Sequence, residues 1–337
     1  MNESYSLKID IFPHILPVKY KEALYKIAPD FRMKRSIDRV STLYDLERRF
    51  RIMDKYEGLV HVLNINAPPI EEIADSKKAV DLAKLANDEM AELVLKYPDK
   101  FVAAVACLPM NNIDAALKEV DRTINDLRFR GVQVYTPIND KPLDSPEFMP
   151  LYDKMAQCDL PIWIHPTRSN NHADYGILSS SMYRIFSTFG WPYETTSAMT
   201  HLVFSGTFER YPDLKIITHH CGAMVPYFQH RIISMHDMHE MLFGEKHKQG
   251  LAKAPIEYFK MFYNDTAMNG NTSALMCAYA FCGAGHLLFG TDMPWDSQLG
   301  DRCTRETIKS IEQMDIPDFE KKKIFEDNAR RLLRLPI

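Results

Sequence analysis

The chain has 337 residues, 46% of them hydrophobic, and a formal net charge of -4 at pH 7. This balance excludes the basic excess that attracts nucleic acid or a membrane surface, and no apolar run approaches the ~20 residues of a membrane span. Six scattered cysteines without a Cys-x-x-Cys pair, and no signal peptide, predict a reduced, cytoplasmic protein.

Strand-like apolar runs alternate with segments of helical periodicity along the chain. This alternation is typical of βαβ units around a parallel sheet. The predicted strands are residues 8–12, 59–65, 101–108, 131–135, 161–165, 215–220, 261–265 and 287–292. Eight such units predict one (β/α)8 barrel domain over residues 1–337, with catalytic groups at the C-terminal strand ends. Two doubly wound domains are the alternative, but no change of composition marks a boundary between them.

The segments between the strands include predicted helices at residues 76–97, 111–127 and 319–335. Two connections, 13–58 and 166–214, are much longer than the usual few residues. Both leave the C-terminal end of a strand, so we expect them to be inserted segments over the barrel mouth. The second contains Trp191 and is interpreted as a lid and a wall of the substrate pocket. An ordinary helical insertion is the alternative.

Polar residues end several predicted strands, namely His14, His165, the pair His219 and His220, Asn264 and Asp292. Asp292 ends an apolar strand, and Met293-Pro294 then leaves the sheet because proline cannot donate to the ladder. A carboxylate in that position needs a metal or histidine partner, unless it caps the next helix. Imidazoles from three strands and a carboxylate from a fourth suit zinc or another first-row divalent ion.

The sequence around these strand ends resembles a known family. The segments are residues 9–17 (IDIFPHILP), 162–166 (IWIHP), 218–222 (THHCG) continuing to Pro226, Tyr227 and Arg231, and 290–294 (GTDMP). They resemble the amidohydrolase-related family, and more closely its branch with aminocarboxymuconate semialdehyde decarboxylase and the hydroxybenzoate decarboxylases. The resemblance covers nearly the whole chain in order, and residues 204–231 are its most specific part.

The resemblance implies a distorted (β/α)8 barrel with one divalent metal, for which zinc is the expectation and manganese the alternative. It implies that His14, His165 and Asp292 are metal ligands and that His220, or Asp292 at the metal, transfers a proton. It also implies that Arg231 holds a substrate carboxylate across the interface of a homodimer. A buried salt bridge is the alternative role for Arg231.

One residue departs from the family pattern, because the first metal ligand of strand one falls at Phe12. Asp10 cannot replace it, since two residues along a strand span ~6.6–6.8 Å and its side chain is short. Two outcomes remain: a metal held by the other three residues plus water, or no metal, with His220 working alone. Phe12 is expected to give the substrate pocket an apolar wall that can stack on a ring.

Two neighbouring pairs complete the candidate site. On a regular strand only one of His219 and His220 faces inward, and the resemblance favours His220. Asn264 and Asp265 are expected to contact substrate or to orient a metal ligand, and a hydrogen bond within the barrel is the alternative.

Three functions are compatible with these residues. The first is a metal-dependent, non-oxidative decarboxylase of a small aromatic or unsaturated carboxylic acid. The second is a hydrolase or hydratase in which a metal-bound hydroxide attacks the substrate. The third is a metal-free barrel that binds a ligand without catalysis, which Phe12 supports.

Overall fold

The computed structural model describes residues 7–244 and 251–337. Its strands are short and their pairings are parallel. They are β1 Lys8–Asp10, β2 His14–Ile15, β3 Leu59–Ile65, β4 Phe101–Ala104, β5 Ala106–Cys107, β6 Val132–Thr136, β7 Ile162–Pro166, β8 Ile216–Thr218 and β9 Tyr263–Asn264.

The strands close into a barrel. β3 pairs with β1 and β2 on one side and with β4 on the other, and β5 to β9 pair in sequence order. Residues 287–289 complete the ring. Leu287 forms a bridge with Asn264 of β9, and the Phe289 carbonyl accepts the Ile11 amide at 3.0 Å. The prediction of a (β/α)8 barrel is therefore confirmed.

Two predicted strands differ in the structure. The first is interrupted after Asp10, because the Phe12 amide donates to the Asp10 side chain at 3.0 Å and Pro13 has no amide hydrogen. The predicted strand 287–292 is not a regular strand. Its amides have varied partners: Phe289 donates to the Ile324 carbonyl and Gly290 to the Thr266 hydroxyl. This irregular backbone brings Asp292 to the barrel mouth.

The helices surround the sheet and occupy both long connections. They are α1 Val18–Ile27, α2 Lys34–Arg39, α3 Leu46–Met53, α4 Ile70–Ile73, α5 Ser76–Lys96, α6 Ile113–Asn125, α7 Met149–Cys158, α8 Ile185–Thr188, α9 Gly190–Phe204, α10 Thr207–Arg210, α11 Val225–Phe243, α12 Pro255–Phe259, α13 Thr272–Cys282, α14 Asp301–Glu312, α15 Asp318–Lys322 and α16 Asn328–Leu333. Within residues 7–244 and 251–337, no helix has both the length and the apolar character of a membrane span.

The sequence explains the longest helix and the irregular end of the chain. α5 begins at Asp75, whose carboxylate accepts the Lys78 amide at 3.0 Å, and it buries Ala79, Leu82 and Ala86 at helical spacing. The predicted helix 319–335 instead contains a π-helical turn, Lys323–Asp327, between α15 and α16. The Ile324 carbonyl there accepts the Phe289 amide, which ties the turn to the barrel.

The barrel interior is apolar below the strand ends. Ile9, Val62, Val105, Trp163 and Leu288 belong to one buried cluster there. The Trp163 indole donates to the Ile11 carbonyl at 3.1 Å, so its polar atom is satisfied. This rigid interior supports the polar residues at the barrel mouth.

Glu71 on α4 is a buried carboxyl whose ionisation opposes folding. Its Oε1 has no hydrogen-bond partner in the described ranges, and burial raises the pKa of Glu71 from 4.5 to about 8. The folded protein therefore keeps Glu71 protonated to a higher pH than the unfolded chain does. The resulting contribution to the free energy of unfolding is fully present below ~pH 4.5 and is lost as pH rises through about 8.

We expect Glu71→Gln to become more stable relative to the wild type as pH rises from 5 to 9. The difference in the free energy of unfolding should grow by up to about 4 kcal/mol, as measured by urea denaturation at each pH. Glu22→Gln, on the exposed face of α1, is the matched control and should show no such trend. A constant difference for Glu71→Gln would contradict the prediction.

Candidate active site

Four side chains from different strand ends gather at the barrel mouth. His14 lies on β2 and His165 on β7, whereas His219 follows β8 and Asp292 follows the irregular eighth segment. One ring nitrogen each from His14, His165 and His219 lie within 4.8 Å of one another. A second group at the same spacing combines His219, His220 and Asp292. The structure therefore brings the predicted metal ligands and His220 together.

The imidazoles of His14 and His165 are buried in a form suited to metal binding. Burial lowers the pKa of His14, although Asp292 opposes this, and burial lowers the pKa of His165 well below its usual value. Both rings are therefore neutral at pH 7. His165 Nδ1 lies 2.8 Å from the Pro166 carbonyl, so it carries the hydrogen and leaves Nε2 with a free lone pair.

Both members of the histidine pair reach the site, which corrects the expectation that only one faces inward. β8 ends at Thr218, so neither histidine lies on a regular strand. His220 and Cys221 both have φ of 57°, and this left-handed turn changes the direction of the chain. The His219 and His220 ring centroids are 3.8 Å apart.

The pKa values of the two histidines of the pair are shifted in opposite directions. His219 Nδ1 is paired with the Asp265 carboxylate, and His219 Nε2 lies 3.4 Å from Asp292 Oδ1. Burial opposes protonation, but Asp265 and Asp292 outweigh it and raise the pKa of His219 to about 9. Burial, followed by the charge of His219, lowers the pKa of His220 to about 4.

Asp292 connects the cluster of His14, His165 and His219 to solvent. Its Oδ1 lies 3.3 Å from His14 Nε2 and 3.4 Å from His219 Nε2, and 19% of its side chain is exposed. Burial favours the neutral acid, but the two imidazoles outweigh it and hold the pKa of Asp292 well below its usual range. Asp292 is therefore ionised before a substrate binds.

Phe12 is fully buried and is stacked on His219, with ring centroids 4.0 Å apart and an interplanar angle of 13°. It also contacts His14 edge-on at 5.5 Å. The expectation that Phe12 forms a pocket wall for the substrate is corrected, because the ring is 0% exposed and packs on an imidazole. Phe12 packs against the histidine cluster instead.

A buried group of polar side chains beside the cluster fixes its backbone. Asp10 accepts the Phe12 and Thr291 amides at 3.0 and 3.1 Å, and burial raises the pKa of Asp10 to about 7. The fully buried Arg49 donates to the His14 carbonyl and lies 3.2 Å from His61 Nδ1. Asp10 and Arg49 thus hold the segments that carry His14 and Asp292.

The residues present fit a divalent cation. The Nε2 atoms of His14 and His219 are buried and have no hydrogen-bond partner in the described ranges, and both lie near the ionised Asp292. Unsatisfied buried nitrogens are costly unless a ligand occupies them. A carboxylate and imidazole nitrogens without a proton are donors that first-row divalent ions prefer, so these atoms can hold such an ion when it displaces the proton of His219.

A cavity of about 560 Å³ opens above the cluster, and His220, Asp292 and Trp191 line it. Arg32 and Arg184, from the two long connections, also line it. Neither arginine is predicted from the sequence. Both lie outside the recognised segments, and the only available signal was their position within the connections predicted to lie over the barrel mouth.

Two predicted substrate residues lie elsewhere in this chain. Arg231 lines a separate groove of about 480 Å³ beside α11, together with Phe228 and Met235. Asn264 is a correction, because its side chain bonds within the barrel: its Oδ1 accepts the Thr218 hydroxyl at 2.7 Å. It is 1% exposed and is therefore satisfied inside the protein rather than open to substrate.

Comparison with known proteins agrees with this geometry. A profile of the family described as Amidohydrolase matches residues 66–335. The chain is 32% identical over 303 residues to gamma-resorcylate decarboxylase from Polaromonas sp., and the match covers 88% of this chain and 89% of that one. It is 27% identical over 351 residues to 2-amino-3-carboxymuconate-6-semialdehyde decarboxylase from Dictyostelium discoideum, covering 98% and 92%.

A solved structure shows the same architecture. It is a dihydroxybenzoic acid decarboxylase from Polaromonas sp. with bound manganese and the inhibitor 2-nitroresorcinol. It superposes with a TM-score of 0.79 at 28% identity, and the match covers 98% of this chain and 97% of that one. That relative therefore binds a divalent metal and a small aromatic molecule.

Proposed function

Because the chain belongs to the amidohydrolase family, we propose that it is a metal-dependent, non-oxidative decarboxylase of a small aromatic or unsaturated carboxylic acid. The observation that carries the proposal is the group of unpartnered imidazole nitrogens beside Asp292, at the floor of a cavity. The predicted family, branch and carboxy-lyase class are confirmed by the decarboxylases that the chain resembles. Hydrolysis and metal-free ligand binding are less well supported.

The metal ligands of this proposal are His14, His165 and Asp292. His14 and His165 supply neutral imidazoles, and Asp292 supplies a carboxylate that is ionised at neutral pH. When bound, a divalent ion supplies Lewis acidity toward the oxygen atoms of the substrate. Manganese and zinc both suit these donors, and the manganese of the Polaromonas structure favours manganese.

The reaction requires one proton at the carbon that carries the carboxylate. The bond to the carboxylate carbon breaks, its electron pair stays with the ring or alkene carbon, the proton is added there, and carbon dioxide leaves. His220 and Asp292 are the groups at the cavity that can carry this proton. An anionic substrate close to Asp292 would raise the pKa of its carboxyl group, which lets Asp292 take up a proton and pass it on.

The cavity supplies positive charge for an anionic substrate. Arg32 and Arg184 line it. Burial lowers the pKa of Arg32, and the charge of Glu72 opposes this shift. Trp191 lines the same cavity, and its ring centroid is 6.0 Å from that of His165. We infer that the arginines attract the carboxylate and that Trp191 provides an apolar face for the ring.

We expect Arg184→Met and Arg32→Met each to raise KM about tenfold while kcat changes less than about threefold. The reason is that a charge at the cavity wall binds the substrate and the transition state equally. Initial-rate kinetics of carbon dioxide release measure both constants. Arg35→Met is the matched control, because Arg35 is exposed in the same connection and lines a different groove. An unchanged KM in both variants would exclude these arginines from substrate binding.

The reaction class is tested by supplying gamma-resorcylate and related hydroxybenzoates to manganese-loaded protein. We expect stoichiometric carbon dioxide and, in D2O, one deuterium at the carbon that lost the carboxylate. Incorporation of solvent ¹⁸O into a product acid, without carbon dioxide, would identify a hydrolase instead. Neither product with any acid of the panel would contradict the proposal.

Four further features belong to this proposal. We infer that the connections 13–58 and 166–214 close over the substrate, because residues of both line the cavity. We also infer a homodimer, in which the exposed Tyr227 and Met241 of α11 become covered. Contact of Arg231 with a partner's substrate and a cytoplasmic location stay predictions.

A further inference from the structure

His219 lies beside the position at which this chain lacks the first ligand of the family pattern. Phe12 stands at the position of the first family ligand, and its buried ring stacks face to face on the His219 imidazole at 4.0 Å. His219 thus lies directly beside the missing ligand. One of its nitrogens is within 4.8 Å of ring nitrogens of His14 and His165.

The two nitrogens of His219 have separate partners. Nδ1 is paired with the Asp265 carboxylate, whereas Nε2 faces Asp292 Oδ1 at 3.4 Å and has no hydrogen-bond partner among the described residues. A metal-binding histidine commonly donates its other ring N–H to a carboxylate, which fixes the tautomer and the ring orientation. His219 shows this arrangement.

Asp265 is itself held rigidly. Its Oδ1 accepts the Cys221 amide at 2.9 Å and the Ala267 amide at 3.0 Å, so the oxygen that faces His219 has a fixed direction. Asp265 and His219 are both fully buried. The imidazole is therefore preorganised toward the centre of the cluster.

We propose that His219 is a metal ligand of this chain and supplies the imidazole that Phe12 cannot. The ligand set is then His14, His165, His219 and Asp292, in which a residue after β8 replaces one on strand one. This inference rests on the proposed function and extends it. His220 remains at the cavity as a proton-transfer residue.

The test counts the imidazoles bound to Mn²⁺ in the full-length wild-type protein by pulsed electron paramagnetic resonance. We expect three coordinated imidazoles in the wild type and two in His219→Ala, with an Mn²⁺ dissociation constant at least about 100-fold higher. The double variant F12H/H219A restores an imidazole on strand one and should recover at least about tenfold of the lost affinity. His220→Asn should retain three imidazoles.

The opposite results overturn the inference. Two imidazoles in fully metal-loaded wild type would remove His219 from the ligand set and leave the proposed function intact. His219 would also be removed from the ligand set if a folded His219→Ala bound Mn²⁺ with a dissociation constant within about threefold of the wild-type value. The same conclusion would follow if His220→Asn lost one coordinated imidazole. Because the wild-type count needs no substitution, a variant that fails to fold does not prevent the decision. Wild type that binds neither Mn²⁺ nor Zn²⁺ would contradict the proposed function, and this inference with it.

Discussion

Replacing Asp292 with asparagine is expected to lower kcat/KM for decarboxylation by at least about 10³-fold. Asp292 is the carboxylate shared by His14 and His219, and it lines the cavity. The substitution removes its negative charge and its capacity to hold and release a proton. Asparagine tolerates the left-handed backbone at residue 292, where φ is 61°, so the fold should be retained.

The measurement is steady-state carbon dioxide release, together with the Mn²⁺ dissociation constant, which should also rise. Asp296→Asn is the matched control, because Asp296 lies on the same loop and its carboxylate accepts the Cys303 amide. Its activity should stay within a few-fold of the wild type. A folded Asp292→Asn with more than a tenth of wild-type activity would contradict the assigned role.

The second large effect is expected for His220→Asn, which should lower kcat by about 10²–10⁴-fold and leave Mn²⁺ affinity unchanged. His220 lines the cavity, and its buried Nδ1 has no hydrogen-bond partner in the described ranges, so no protein group fixes the proton on this ring. Asparagine again suits the left-handed backbone, with φ of 57°.

Single-turnover carbon dioxide release separates this effect from slow product release. His201→Asn is the control, because His201 is an exposed histidine on α9 that faces Asp144 at 3.1 Å. If His220→Asn retains wild-type kcat, proton transfer depends on Asp292 alone.

The barrel and the gathering of strand-end residues could be predicted from the sequence, because both follow from alternation and periodicity. The eighth segment shows the limit of that reasoning. Leu287 and Leu288 are fully buried, as a strand pattern predicts. The partners of the later amides are the Ile324 carbonyl and the Thr266 hydroxyl, and no local pattern indicates such long-range bonds.

The histidine pair illustrates a second limit. The alternation rule holds only on a regular strand, and β8 ends at Thr218, one residue before the pair. The left-handed turn at His220 and Cys221 precedes Gly222, and a turn of this kind is recognisable only in three dimensions. The stacking of Phe12 on His219 likewise joins residues more than 200 positions apart.

The role that the resemblance implies for Arg231 involves a second subunit, so the structure of one chain does not test it. Arg231 lines an apolar groove beside α11 and is not among the residues that line the cavity above Asp292. Arg32 and Arg184 supply charge to that cavity from connections in which the sequence carries no recognisable motif. Residues outside the barrel scaffold are the least predictable part of the site, because loop geometry determines where they point.

The most direct test of a divalent-metal site at the barrel mouth is anomalous diffraction at the manganese edge from crystals soaked in Mn²⁺. We predict a single strong peak about 2.0–2.3 Å from His14 Nε2, His165 Nε2 and a carboxylate oxygen of Asp292. The absence of a peak among these atoms at saturating Mn²⁺, or a peak only elsewhere on the protein, would contradict the account.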